Sequence, residues 1–173
     1  MPARLSRMDG THRLGWDGVA LPPPAGFEPA VLDVGYLLLA GEDRSTLEIR
    51  FNPVRGAFDP RRQLARLRRK FKDALWRADD AVGFTAAPPP GMSGAPFAWT
   101  DDTRCGAGLV LHRADSATAL LAQATTEKTG HEDDADRPAA LLRALLPGVA
   151  VHLHEPAWPL EVFGMHAEVP GGW

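Results

Sequence analysis

The chain holds a single cysteine, Cys105, among 173 residues, so no internal disulfide can staple it. A lone thiol fits a reducing compartment, because small secreted domains rely on paired cysteines. No apolar run approaches the roughly 18 residues that a membrane-spanning helix needs. Residues 1–10, Met-Pro-Ala-Arg-Leu-Ser-Arg-Met-Asp-Gly, have no apolar core of the signal-peptide kind. A cytoplasmic protein without a membrane span is expected. An excess of positive charge is also missing: the formal net charge is -3, unlike a dedicated nucleic-acid binder.

Two catalytic signatures are absent on inspection. Glu127-Lys128-Thr129-Gly130 lacks the preceding glycine frame that cradles a phosphate. Gly91-Met92-Ser93-Gly94-Ala95 departs from a nucleophile elbow at Ala95 and follows three prolines rather than a strand, so Ser93 is not expected to be catalytic. No catalytic residue is read from the sequence, and no cofactor is expected.

What is present describes a globular domain. The apolar fraction is 45% and the charged fraction 24%, and the length suits one domain with a real core. Glycine and proline cluster at Pro22 to Gly26, at Pro88 to Pro96 and from Pro170 onward. Residues 1–10 read as a flexible leader and 11–155 as the domain. Residues 156–173 read either as a final strand and tail or as the start of a truncated second repeat.

The chain is organised around Asp59 to Arg77. Asp59 suits an N-cap and Pro60 the first helical position, where its missing N–H is not needed. Leu64, Leu67, Phe71 and Leu75 fall at helical spacing and make one apolar stripe, which Ala74 widens. The other face carries Arg62, Arg66, Arg69, Lys70 and Lys72, with Trp76 on the same side of a helix that runs to Arg77. Such a face is either a solvated back or a docking site for an anionic partner, with Trp76 available for stacking or cation–π contact. Glu132 to Asp136 offers an acidic counterpart within the chain.

Elsewhere the periodicity is that of strands. Thr11 to Leu21 reads as a first strand and Ala30 to Val34 as a short second one. Tyr36 to Ala40 and Leu47 to Asn52 form a hairpin, the latter alternating Leu47, Ile49 and Phe51 with Glu48, Arg50 and Asn52. Val82, Phe84, Phe97 and Trp99 read as two short strands around a long loop. Ala107 to Arg113 and Ala117 to Thr125 make a further hairpin. Asp136 to Leu146 reads as a second, shorter helix ended by Pro147-Gly148, and Val149 to His154 as a last strand. Strands joined by short turns favour an antiparallel sheet. The expected fold is α+β, an antiparallel sheet with the long basic amphipathic helix and the shorter helix packed on one face.

One pattern recurs. Leu14, Gly18, Pro24, Gly26 and Phe27 match Leu160, Gly164, Pro170, Gly172 and Trp173 without a gap. The order of elements and the local stretch Gly18 to Phe27 resemble the PsbP-like α+β sandwich superfamily over residues 11–155. The resemblance implies a non-enzymatic binding or accessory protein and carries over no functional residue; the insert around Pro88 to Pro96 departs from a compact version.

The reading that follows is a non-enzymatic accessory or protein-binding domain acting through the basic helix face, on a protein partner or as a homo-oligomer. Two alternatives belong to other classes. His152 and His154 share one side of a strand, and His112 on another hairpin could complete a metal site for a hydrolase-type enzyme. Nucleic-acid binding through the helix would show steep salt dependence.

Overall fold

The computed structural model describes residues 14–16, 18–70, 72–78, 88–113, 117–151, 157–162 and 165–170. In chain order the strands are β1 (Leu14–Trp16), β2 (Val19–Leu21), β3 (Phe27–Asp33), β4 (Tyr36–Gly41) and β5 (Thr46–Pro53). Helix α1 (Pro60–Lys70) precedes β6 (Leu75–Ala78), β7 (Ser93–Thr100), β8 (Arg104–Arg113) and β9 (Thr118–Glu127). Helix α2 (Arg137–Leu145), β10 (Ala150–Val151), β11 (Ala157–Val162) and β12 (Met165–Pro170) follow.

The fold is α+β, with every described strand pair antiparallel. Alternation along β5 sets the two faces of a seven-stranded sheet ordered β3-β4-β5-β9-β8-β7-β6. Leu47, Ile49 and Phe51 are buried on one face, while Arg50 and Asn52 are exposed on the other. The β4–β5 and β8–β9 hairpins lie where the sequence places them.

The two helices do not share a face, contrary to the sequence reading. Leu142, Leu145 and Leu146 pack with Leu109, Leu111, Leu120 and Ala122. Leu64 of α1 packs with Ala95, Phe97, Trp99 and Val110. Val110 lies between Leu109 and Leu111 on one strand, so successive side chains point to opposite sides and the helices cover opposite faces. Both faces are apolar along β8, which reads as a continuous buried run rather than an alternating one.

A second sheet, β10-β2-β1-β11-β12, joins the α2 side of the large sheet. Leu14, Val19 and Leu21 are buried in the same cluster as Leu37, Ile49 and Leu111. The single strand expected over Thr11 to Leu21 is two strands. Trp16 pairs with Val19, the sequence between them is Asp17-Gly18, and Gly18 has φ +80°. Asp-Gly between apolar residues is a strong hairpin signal, because glycine enters the left-handed region freely.

Candidate basic docking face

Asp59 starts α1 as its side chain allows: Asp59 Oδ1 accepts a hydrogen bond from the Arg61 amide at 2.9 Å. Leu64 is buried and Leu67 half-buried, both toward the sheet. The seat beneath them is made by pairing large residues with absent ones. Phe97 stands opposite Gly108 and Trp99 opposite Gly106 on β7 and β8. A Cβ on Gly108 would meet the Phe97 ring at 2.2 Å, and one on Gly106 the Trp99 ring at 2.3 Å. Two aromatic rings thus lie across the glycines and present a flat apolar floor to α1.

The outward stripe carries Arg62, Arg66 and Arg69, all exposed. At about 100° per residue these three fall within one narrow sector, opposite Leu64 and Leu67. No salt bridge is formed to any of them among the described residues. Arg69 Nε donates only a long 3.4 Å hydrogen bond to the Ala65 carbonyl. Lys70 is the last residue of α1, and Lys72 is exposed in the turn beyond it.

The helix is shorter than its apolar stripe implied, and this corrects the place of Trp76. The chain leaves α1 at Lys70, and residues 75–78 form β6, paired to β7 with Trp76 opposite Trp99. Period-two geometry takes over: Trp76 turns toward the sheet and tilts on Phe97 at 5.5 Å, while Leu75 is 75% exposed. Trp76 therefore supports the floor under α1 from a strand and not from the helix itself. Pairing with β7 outcompetes the helical propensity of a stretch that fits either period.

The acidic segment is not the counterion of this face. It leads into α2 on the opposite side of the large sheet. Asp134 accepts hydrogen bonds from the Thr129 amide at 2.7 Å, the Thr129 hydroxyl at 2.9 Å and the Gly130 amide at 2.9 Å. Arg137 of α2 pairs with Asp43 instead. Burial alone would raise the Asp134 pKa, but the Thr129 hydroxyl and the Thr129, Gly130 and His131 amides outweigh it and hold it below the usual 3.8. A carboxylate with a lowered folded-state pKa stabilises the protein above the unfolded value and loses that contribution as pH falls through the folded one. Asp134→Asn is therefore expected to be less stable than the parent chain at neutral pH. Urea melts at a series of pH values should show the gap closing below about pH 4.

Beside α1 lies a cleft of about 480 Å³, with Arg50, Arg55 and Arg66 among its lining and Phe58, Leu67 and Leu121 giving apolar surface. Arg50 lies over the Tyr36 ring at 5.0 Å and donates to Glu48. Three guanidiniums around an apolar base favour a ligand with carboxylates and an apolar group. The sequence reading missed Arg50 and Arg55, since a polar residue alternating in a strand looks like any solvated one. Their signal was positional: β5 exposes its polar face on the side that α1 covers only in part.

His112 is half-buried on β8 and stacks on Phe58, ring centroids 5.0 Å apart. His152 and His154 lie outside the described residues, and no group of three or more metal-binding side chains occurs among those described. Ser93 pairs in register with His112, but no hydrogen bond joins their side chains among the described residues. Cys105 is buried, its Sγ 3.7 Å from the Thr100 hydroxyl. The neighbouring Arg104 guanidinium is engaged by Asp101 and lies over Trp99. No described helix is long and apolar enough to cross a membrane.

The α+β fold defines the class of structure to which the chain is similar. Within that class, the Saccharomyces cerevisiae Ran-binding protein Mog1p matches with a TM-score of 0.58 at 9% identity, over 78% of this chain and 90% of that one. A point mutant of protein Mog1 matches with a TM-score of 0.54 at 12% identity, over 78% of this chain and 91% of that one. The likeness is one of fold. No protein-family model matches the chain, and no curated protein does. The resemblance to the PsbP-like superfamily is corrected accordingly: the matching structures are of Mog1, and the Gly18 to Phe27 stretch that anchored the resemblance is only strand β2 with the turn residue before it and the Pro24 to Phe27 turn after it.

Proposed function

We propose that this chain is a non-enzymatic protein-binding domain of the cytoplasm whose basic α1 face docks an acidic segment of a protein partner. The observation that carries the reading is the stripe of Arg62, Arg66 and Arg69, exposed and without an ion pair among the described residues. An isolated cationic stripe raises the local potential and steers an oppositely charged partner. The adjoining cleft supplies apolar contact and further guanidiniums, whose planar forks suit carboxylates. A net charge of -3 over the whole chain argues for a local acidic ligand rather than a nucleic-acid polymer. The yeast Mog1p structure is of a Ran-binding protein, so a fold of this kind accommodates a protein partner.

The test is quantitative capture from the source cell, with the parent chain and the Arg62→Glu, Arg66→Glu, Arg69→Glu variant as baits. Loss of one defined partner on the variant supports the reading. Equal recovery on a folded variant overturns it.

A further inference from the structure

The two copies of the recurring sequence pattern are two hairpins in one sheet. The first copy spans β1 and β2, and the second spans β11 and β12. The displacement that carries Leu14 to Leu160 and Gly18 to Gly164 also carries the first pairing register onto the second. Leu14 pairs with Leu21, and Leu160 pairs with Ala167, the equivalent position. Trp16 pairs with Val19, and Val162 pairs with Met165, again equivalent. In the sequence, Asp17-Gly18 and Phe163-Gly164 stand between the two paired positions of each copy, and both end in glycine.

The third coincidence decides what the arrangement means. β1 pairs antiparallel with β11, with Gly15 opposite Glu161. Glu161 is the position that the same displacement assigns to Gly15. Equivalent residues therefore face each other, which places a local two-fold axis between them. A two-fold axis through an antiparallel strand pair is the geometry of an isologous contact, in which one surface meets its own copy. A one-residue slip in either register would remove the coincidence.

We infer that β1 is a self-complementary docking edge, and that the slot held by the β11–β12 hairpin fits the β1–β2 hairpin of a second copy of this chain. Two copies then pair through β1 with Gly15 against its own counterpart. The contact uses backbone hydrogen bonds, so it depends on register more than on side-chain identity. It lies in the small sheet, away from α1, and stands or falls independently of the basic face.

The full-length chain tests this. Glu161→Pro removes a donor in a strand paired on both sides, where proline is poorly tolerated. Light scattering is expected to show the mass doubling relative to the parent chain. A further Gly15→Cys exchange should then give a disulfide-linked dimer, while Gly15→Cys alone in the parent chain should not. A folded Glu161→Pro chain that keeps the parent mass overturns the inference. If Glu161→Pro fails to fold, a graft decides: the Leu14 to Leu21 sequence is placed over residues 160–167. The graft is expected to melt within a few degrees of the parent. The same graft slipped by one residue should lose about 10 °C or more. Equal melting of the two grafts overturns the inference.

Discussion

Exchange of Arg62, Arg66 and Arg69 for glutamate is expected to weaken partner binding by about 100-fold or more while leaving the fold nearly unchanged. Each exchange removes one positive and adds one negative charge, so the formal net charge moves from -3 to -9. An acidic segment would then meet a repulsive stripe. Breaking charge pairs that become buried in an interface costs about 2–5 kcal/mol, and every 1.4 kcal/mol is about tenfold in affinity. The folded chain barely registers the change. All three side chains are exposed, and exposed substitutions stay within about 0.5 kcal/mol each. Helix-dipole effects also offset one another, because glutamate is favoured near the start of α1 at position 62 and disfavoured near its end at position 69. Circular dichroism melts should overlay closely for the two chains while capture of the partner separates them.

Gly108→Ala is expected to be the most damaging small substitution in the described sheet. The added Cβ would lie 2.2 Å from Phe97 Cζ and 2.8 Å from the Ala122 carbonyl oxygen. Phe97 is fully buried beneath α1, with Trp76 tilted against it, so its ring has nowhere to turn. The second neighbour is backbone, which yields only if β9 moves. Overpacking in a tight core costs about 1–3 kcal/mol, and a clash with both a ring and a strand belongs at the top of that range or above it. For a chain of this size the melting temperature should fall by about 6–12 °C. Adding Phe97→Leu should restore part of the loss in the Gly108→Ala chain, although Phe97→Leu is destabilising by itself. Non-additivity in urea titrations of the four chains is the readout. The effect reaches the candidate site, because Phe97 and Trp99 are the floor on which α1 rests.

How far the sequence could be read is set by which period wins locally. β5, the β8–β9 hairpin and α2 were legible because Leu47, Ile49 and Phe51 alternate cleanly and Leu142, Leu145 and Leu146 stay on one helical side. The stretch from Ala74 to Arg77 was not, because Leu75 fits the stripe of α1 and Trp76 fits a strand, and only pairing with β7 decides between them. The opposite placement of the helices was hidden for a related reason. β8 is buried on both faces, and a run such as Cys105 to Leu111 carries no alternation to say which side a helix will take. The cationic stripe was legible as composition and spacing, whereas its neighbours Arg50 and Arg55 come from a strand and a loop that only tertiary structure brings beside α1. The echo was visible at five positions, and the match of the two hairpin registers was not, because no sequence pattern prints strand pairing.

Whether α1 is the surface that meets a partner is tested most directly by site-specific photo-crosslinking in the source cell. A photoreactive residue placed at Arg62 is compared with one at Val34, which is 88% exposed in the turn between β3 and β4. One discrete protein adduct is expected from position 62, lost when Arg66→Glu and Arg69→Glu are added, and none from position 34. Adducts of equal yield from both positions, or from position 34 alone, would contradict it.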